Sequence, residues 1–254
     1  TAHYLARIAR HGEALGAFIN VFADAAMAGA RRADSQPPEG LLHGLPMPLK
    51  DLHPAAGLPT SMGCAALEGW IPAQDGAVVG RLRQAGIVVL GKTHAPEFGP
   101  CCYTETQLAP PALSPYGQGL SASGSSGGAA AAVAAGLAPL AHASDGLGST
   151  RTPASNCGLV GFKPSRGRIP SVLPGWYQLG SEGPVARTVG DGVVLPPAPW
   201  TDRFAQPDGW ANVPVLTGNN HDEARLFLMV NPLLVQHWKV LDEPRYLAVS
   251  AGLS

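Results

Sequence analysis

Charge is scarce in this chain. Only 14% of its 254 residues are Asp, Glu, Lys or Arg, against about 25% in ordinary soluble domains. Much of the surface is therefore expected to be loop, backbone and small side chains. The formal net charge is −1 and no basic run occurs, so the footprint of a nucleic-acid or anionic-membrane binder is missing. Cysteine is equally sparse. Cys64, Cys101, Cys102 and Cys157 lack zinc-ligand spacing and read as scattered free thiols of a reducing compartment, which predicts a cytoplasmic protein. The eight histidines show no metal-binding spacing either, and no metal or cofactor is expected. No apolar run nears the ~20 residues that cross a bilayer. AAAAVAAGLAPLA is too short and too rich in Ala and Pro. Neither a signal-peptide pattern nor an Asn-x-Ser/Thr sequon is visible.

What is present suits a globular chain: 45% apolar residues and a mass of 26.1 kDa, enough for one domain or two small ones. Glycine (32) and proline (25) are abundant, but up to Leu195 they punctuate apolar segments instead of replacing them. Leu5, Ile8, Leu15, Phe18, Ile19 and Phe22 recur at roughly helical spacing and predict helix over 4–33, interrupted at Gly12 and Gly16. LLHGLPMPLKD reads as a short buried strand ending at Lys50. Asp75 is placed to cap a helix through GAVVGRLRQA that stops at Gly86, and IVVL (87–90) reads as an interior strand. Helix followed by buried strand, repeated, predicts an α/β fold: a mixed β-sheet core covered by helices.

The chemistry concentrates in SASGSSGGAAAAVAAGLAPLAHASDGLGSTRTPASNCGLVGFKP, Ser121 to Pro164. Ser125 lies in a Gly-Ser-Ser-Gly-Gly loop just before an alanine-rich helix, and Ser149 lies in a Gly-Ser-Thr-Arg turn 24 residues later. A serine hydroxyl is a weak nucleophile unless a base is within hydrogen-bond reach, and a desolvated lysine such as Lys50 can be that base. The flexible run Asp145-Gly146-Leu147-Gly148 lets consecutive N–H groups converge on one point, as an oxyanion hole requires. For Lys50 to work near neutrality its pKa must fall about three units, some 4 kcal/mol. Burial among Leu45, Met47, Leu49 and Leu52 favours that fall. Asp51 opposes it unless its side chain points away, which strand alternation predicts.

These segments resemble the amidase signature family, the Ser-cisSer-Lys hydrolases of carboxamides. GLPTSMG (57–63), GRLRQAGIVVLGKTHAPEFG (80–99), CGLVGFKPSRGR (157–168) and EGPVARTVGD (182–191) carry the likeness too, from about Tyr4 to about Leu195. The resemblance implies an acyl-enzyme on Ser149, Ser125 on a cis peptide as proton relay and Lys50 as base. It implies N–H groups of Gly146, Leu147 and Gly148 around the oxyanion, with Ser126, Asp145 and Arg151 in support: Ser126 bonding the lysine, Arg151 holding the loop with Asp145. It also implies a small-molecule amide as substrate, with no cofactor, and admits a homodimer. Leu147 departs from the glycine usual in the family. Arg151-Thr152-Pro153 lacks the glutamine usual in the glutamyl-tRNA amidotransferase subunit.

Two pattern matches are rejected. GIVVLGKT (86–93) fits a phosphate loop letter by letter, but its middle residues are a strand and not an exposed turn. GSSGG (124–128) fits a nucleophile elbow, but no buried strand precedes it. After Leu195 the likeness stops: Pro196-Pro197 ends the helix that the family continues, predicting a truncated core over 1–195 and a separate segment over 196–254. WANVPVLTGNNHDEARLFL (210–228) weakly resembles a type-B carboxylesterase segment, with Glu223 in the place of a triad acid. An esterase using Ser126 and Glu223 is one alternative, although only His237 follows. A catalytically impaired or non-catalytic amidase remnant is the other.

Overall fold

Gly12 and Gly16 do more than interrupt a helix. A computed structural model describes residues 1–193 apart from 39, 41, 118, 166–167 and 170–178, and it ends α1 (Ala2–His11) at Gly12. Gly16 then takes φ +54°, where an added Cβ would lie 2.1 Å from the Pro110 carbonyl oxygen. The chain turns there into a strand, β1 (Phe18–Val21), and only then forms α2 (Ala23–Ser35). One expected helix is thus two helices and an intervening strand. The apolar residues at 18–22 satisfy either period over so few positions.

Strand β2 (Pro46–Lys50) carries Lys50 at its end, as its apolar run predicts. α3 (Ala77–Gln84) follows, with Gly76 and not Asp75 as its N-cap. Asp75 instead accepts from the Ala56 N–H at 2.7 Å and pairs with Arg83 at 3.1 Å. Gly86, at φ +94°, releases the chain into β3 (Val88–Thr93). The GKT of the phosphate-loop mimic is therefore strand, and Lys92 is buried within it. β3 pairs parallel to β2 and antiparallel to β1, a mixed sheet of order β1-β3-β2.

Helix α4 (Gly127–Ala134) is buried through Val133 because nearly every side chain on it is a methyl group or less. Gly128 is where the approach is tightest: a Cβ there would sit 2.4 Å from the His94 nitrogen. Arg7 of α1 donates from Nε and Nη2 to the Gly136 and Ala135 carbonyls, at 2.8 and 2.7 Å, satisfying the end of α4 as cations near a helix C-terminus do. The helix leads to β4 (Leu140–Asp145), then α5 (Arg151–Asn156), β5 (Val160–Gly161), β6 (Ser181–Ala186) and α6 (Val189–Val193). β4, β6 and β5 form an antiparallel sheet of order β4-β6-β5. The Lys50 N–H reaches His142 Nδ1 at 3.4 Å, so the ends of the two sheets meet at β2 and β4.

One core gathers on α4, with Ile8, Leu90, Leu137 and Val185. A second lies under α3, with Met47, Leu49, Val79 and Leu140. The described residues all belong to one compact unit, Thr1–Pro214, and they form the α/β arrangement the sequence pattern predicts. All four cysteines are free. No helix among the described residues is long and apolar enough to cross a membrane. The segment 196–254, with Glu223 and His237, lies outside the described residues.

Candidate active site

The register of β2 delivers Lys50 to the junction of the two sheets and buries it completely. Its Nζ lies 2.8 Å from Ser125 Oγ and donates to the Ser144 carbonyl at 3.1 Å. Burial lowers the Lys50 pKa from 10.5 to about 7, against the opposing charges of Glu182 and Asp145. Asp51 turns away, as alternation predicts. It accepts from the backbone N–H of Ser61 (3.1 Å) and of Gly63 (3.4 Å) and from the Ser61 hydroxyl, and it faces Lys92 at 3.6 Å.

Ser125 sits in the loop entering α4, almost fully buried, and the Gly124–Ser125 peptide is cis. Gly124 makes this path possible, because a Cβ on it would meet the Tyr103 and Cys101 backbone at 2.7–2.8 Å. The residue in the N-cap position is Ser126. Its hydroxyl does not bond Lys50 as expected. It donates to the Ser144 carbonyl at 3.2 Å, the same oxygen the lysine uses, while its N–H donates to the Ser149 carbonyl at 3.1 Å. That backbone bond draws the two serine loops together.

Ser149 is half-buried, and among the described residues its hydroxyl has no hydrogen-bond partner. Its loop is fixed from below by Asp145, which receives the Gly148 N–H at 2.7 Å, the Thr150 N–H at 3.1 Å and the Arg151 N–H at 3.3 Å. Arg151 completes the brace with a forked pair, Nε to Oδ2 at 3.0 Å and Nη2 to Oδ1 at 3.1 Å. Burial alone would raise the Asp145 pKa, but Arg151 and these N–H groups outweigh it and hold the carboxyl below the usual range.

One part of the expected oxyanion hole is corrected by this geometry. The Gly148 N–H is spent on Asp145, leaving Gly146, Leu147 and Ser149 as candidate donors. Leu147, in the place of a glycine, turns its side chain to solvent at 38% exposure and does not fill the loop.

The brace under this loop is open to direct measurement. Asp145→Asn removes the charge that Arg151 is forked onto and is expected to destabilise the fold by about 3 kcal/mol, the scale for breaking a buried pair from one side. Urea unfolding measures it, and a loss below about 1 kcal/mol, the ordinary worth of an exposed pair, contradicts the brace. Thr150 buries a hydroxyl with no hydrogen-bond partner among the described residues. Thr150→Val is expected to stabilise by about 1 kcal/mol, because an unsatisfied buried hydroxyl disappears. A fall in melting temperature would show that the hydroxyl is satisfied.

No local spacing in the sequence points to the third group at this junction. His142 and Glu182 meet because the β4/β6 register places Ser144 opposite Glu182, and residues 142 and 144 share a face. His142 Nε2 is hydrogen-bonded to Glu182 Oε2 at 3.1 Å, whereas His53 Nε2, 3.3 Å from the same oxygen, is buried without a hydrogen-bond partner among the described residues; the two imidazoles meet edge to face. Among the described residues these three offer the ligand types and closeness of a metal site. The imidazole chemistry opposes it. Accepting the Lys50 N–H at Nδ1 places the neutral His142 proton on Nε2, where a metal would need a lone pair. Both imidazoles instead face the Glu182 carboxylate.

A model of the amidase family matches residues 1–207, reaching past Leu195. The chain is 46% identical to an acylamidase of Rhodococcus erythropolis over 171 residues, covering 66% of this chain and 35% of that protein. It is 43% identical to a glutamyl-tRNA(Gln) amidotransferase subunit of Acidothermus cellulolyticus over 201 residues, covering 77% and 40%. Among solved structures, the peptide amidase of Stenotrophomonas maltophilia superposes with a TM-score of 0.68 at 38% identity, over 76% of this chain and 42% of that one. The chain thus spans about two fifths of the length of the relatives it matches.

Proposed function

The chain belongs to the amidase family, and on that premise we propose that it hydrolyses the C–N bond of a small carboxamide through an acyl-enzyme on Ser149. The observation that carries this reading is the buried contact of 2.8 Å between Lys50 Nζ and Ser125 Oγ. Beside it stands a Ser149 hydroxyl with no hydrogen-bond partner among the described residues.

At a pKa near 7 much of Lys50 is neutral under ordinary conditions, and its lone pair accepts the Ser125 hydroxyl proton. Ser125 in turn takes the proton of Ser149 as Ser149 Oγ bonds to the amide carbon. The carbonyl electrons move to oxygen, and the N–H groups of Gly146, Leu147 and Ser149 receive the negative charge. One such donor is worth ~10²–10³ in rate, or ~2.7–4 kcal/mol. Ser125 then passes its proton to the departing nitrogen while Lys50 returns its own proton to Ser125, the C–N bond breaks, and the free amine leaves an ester on Ser149. Water repeats the sequence, releasing the acid and restoring the serine.

Neutral lysine is what this relay needs. An ammonium can donate to Ser125 but has no lone pair to accept with, so burial on β2 is a condition of the chemistry. The acylamidase and peptide amidase among the relatives fit the same substrate class. The reading is tested by trapping the full chain with a fluorophosphonate probe and mapping the modified residue by peptide mass spectrometry. Label on Ser149 supports it. Label on Ser126, or none at any pH, overturns it.

A further inference from the structure

A lysine that has to be neutral stands beside a carboxylate that favours its charge. Around Lys50 lie Glu182 of β6, Asp145 and His142 of β4, and His53 in the turn after β2; Asp51 is directed at Lys92 of β3. The two carboxylates differ in their partners. Asp145 is matched by the Arg151 fork, whereas among the described residues Glu182 has ion-pair contacts only to histidines. The same cluster also grips the lysine backbone at both ends. The Lys50 N–H donates to His142 Nδ1 at 3.4 Å, and the Lys50 carbonyl accepts from the His53 N–H at 3.2 Å.

We propose that Glu182, joined through the His142 imidazole to the Lys50 backbone, is a positioning residue that holds Lys50 and keeps it basic enough to act on Ser125. The inference rests on Lys50 being the base. Its logic is a balance of two opposed effects. Burial favours the neutral amine. Left unopposed, it would carry the lysine to a pKa so low that its pull on the serine proton is weak, since a base works best with a pKa near the operating pH.

Glu182 supplies the counterweight, and its hydrogen bond with His142 favours the ionised form in a buried place. Burial pushes the Glu182 carboxyl up, but the His142 hydrogen bond and the charge of Lys50 help hold it below its usual range. Burial pulls His53 down to about 3, against Glu182, so this imidazole stays uncharged near neutrality.

The test is the rate of fluorophosphonate labelling of the full chain as a function of pH. Glu182→Gln keeps an acceptor for His142 and removes the charge. Its rising limb is expected about one pH unit below that of the wild type, the scale of one neighbouring charge, and its alkaline plateau is expected to fall several-fold. Glu182→Asp keeps the charge and is expected to leave the limb near its wild-type position. Should the Gln variant fail to fold, Glu182→Met carries the same expectation, and failure of both neutral variants to fold overturns the proposal. So does a limb that stays in place while labelling falls equally at every pH, which is the signature of a merely structural group. Lys50→Met separates this from failure of the underlying reading. A rising limb that persists without Lys50 removes the lysine as base, whereas a limb lost in Lys50→Met but unmoved in Glu182→Gln removes only the role of Glu182.

Discussion

Replacing Ser149 by alanine is expected to abolish fluorophosphonate labelling and to reduce amide turnover by about 10⁶-fold, the scale for removing a nucleophile that works as one unit with its base. The structure gives reasons to expect this loss without a loss of fold. Ser149 is half-buried and its hydroxyl has no hydrogen-bond partner among the described residues, so alanine orphans nothing there. The loop is held by its backbone, through the Ser126 N–H on the Ser149 carbonyl, and by Asp145 through its neighbours. Unfolding free energy should therefore stay within about 0.5 kcal/mol of the wild type. The neighbouring Ser126 is the informative control. Its hydroxyl is fully buried and donates to the Ser144 carbonyl, a position from which it cannot meet a substrate. Undiminished labelling of the Ser149→Ala protein would place the nucleophile elsewhere, with Ser126 the first residue to inspect.

The parts of this site that are readable from sequence are those coded locally. An apolar run ending in lysine gives β2 and the burial of Lys50. Asp51, one residue on, faces the other way by alternation alone. Glycines on both sides of Ser125 mark a loop that packs against backbone, and an aspartate, glycines and an arginine in DGLGSTR already contain the brace of Asp145 and Arg151. The misses have an equally physical pattern. Phe18 to Phe22 suits a helix or a strand, and only the turn at Gly16 against Pro110 decides for β1. Asp75 could serve as a cap, but the Ala56 N–H and Arg83 compete for its carboxylate and win. A Gly-rich nest shows where donors converge but not which one an internal carboxylate consumes, so the sequence offers the Gly148 N–H to substrate while the fold gives it to Asp145. His53, His142 and Glu182 come together only through the β4/β6 register and the β2/β4 junction, so no spacing along the chain could announce them.

Lys50→Met is expected to separate function from stability more sharply than any other change, because the same burial that suits the lysine to the proposed role of base works against the fold. The folded-state pKa of about 7 lies well below the ordinary 10.5. Between those values the unfolded chain binds a proton that the folded chain does not, so the stability contributed by this group rises as pH rises through that window. Below about pH 7 both states are protonated and the full cost of holding the charged amine remains, on the order of 5 kcal/mol by linkage. Methionine fills similar space with no charge. Its variant is therefore expected to melt higher than the wild type at about pH 6–7, with the advantage shrinking toward about pH 10, as scanning calorimetry across that range measures. Turnover and labelling should fall to background at every pH, and the rising limb centred near 7 should vanish. Lys50→Arg restores the charge but not the lone pair, since a guanidinium stays protonated, and it is expected to remain inactive while losing the stability that methionine gains. An active arginine variant would exclude proton acceptance at this position. A methionine variant that melts lower than the wild type near neutrality would show that the contacts of Nζ with Ser125 and Ser144 are worth more to the fold than the burial costs it.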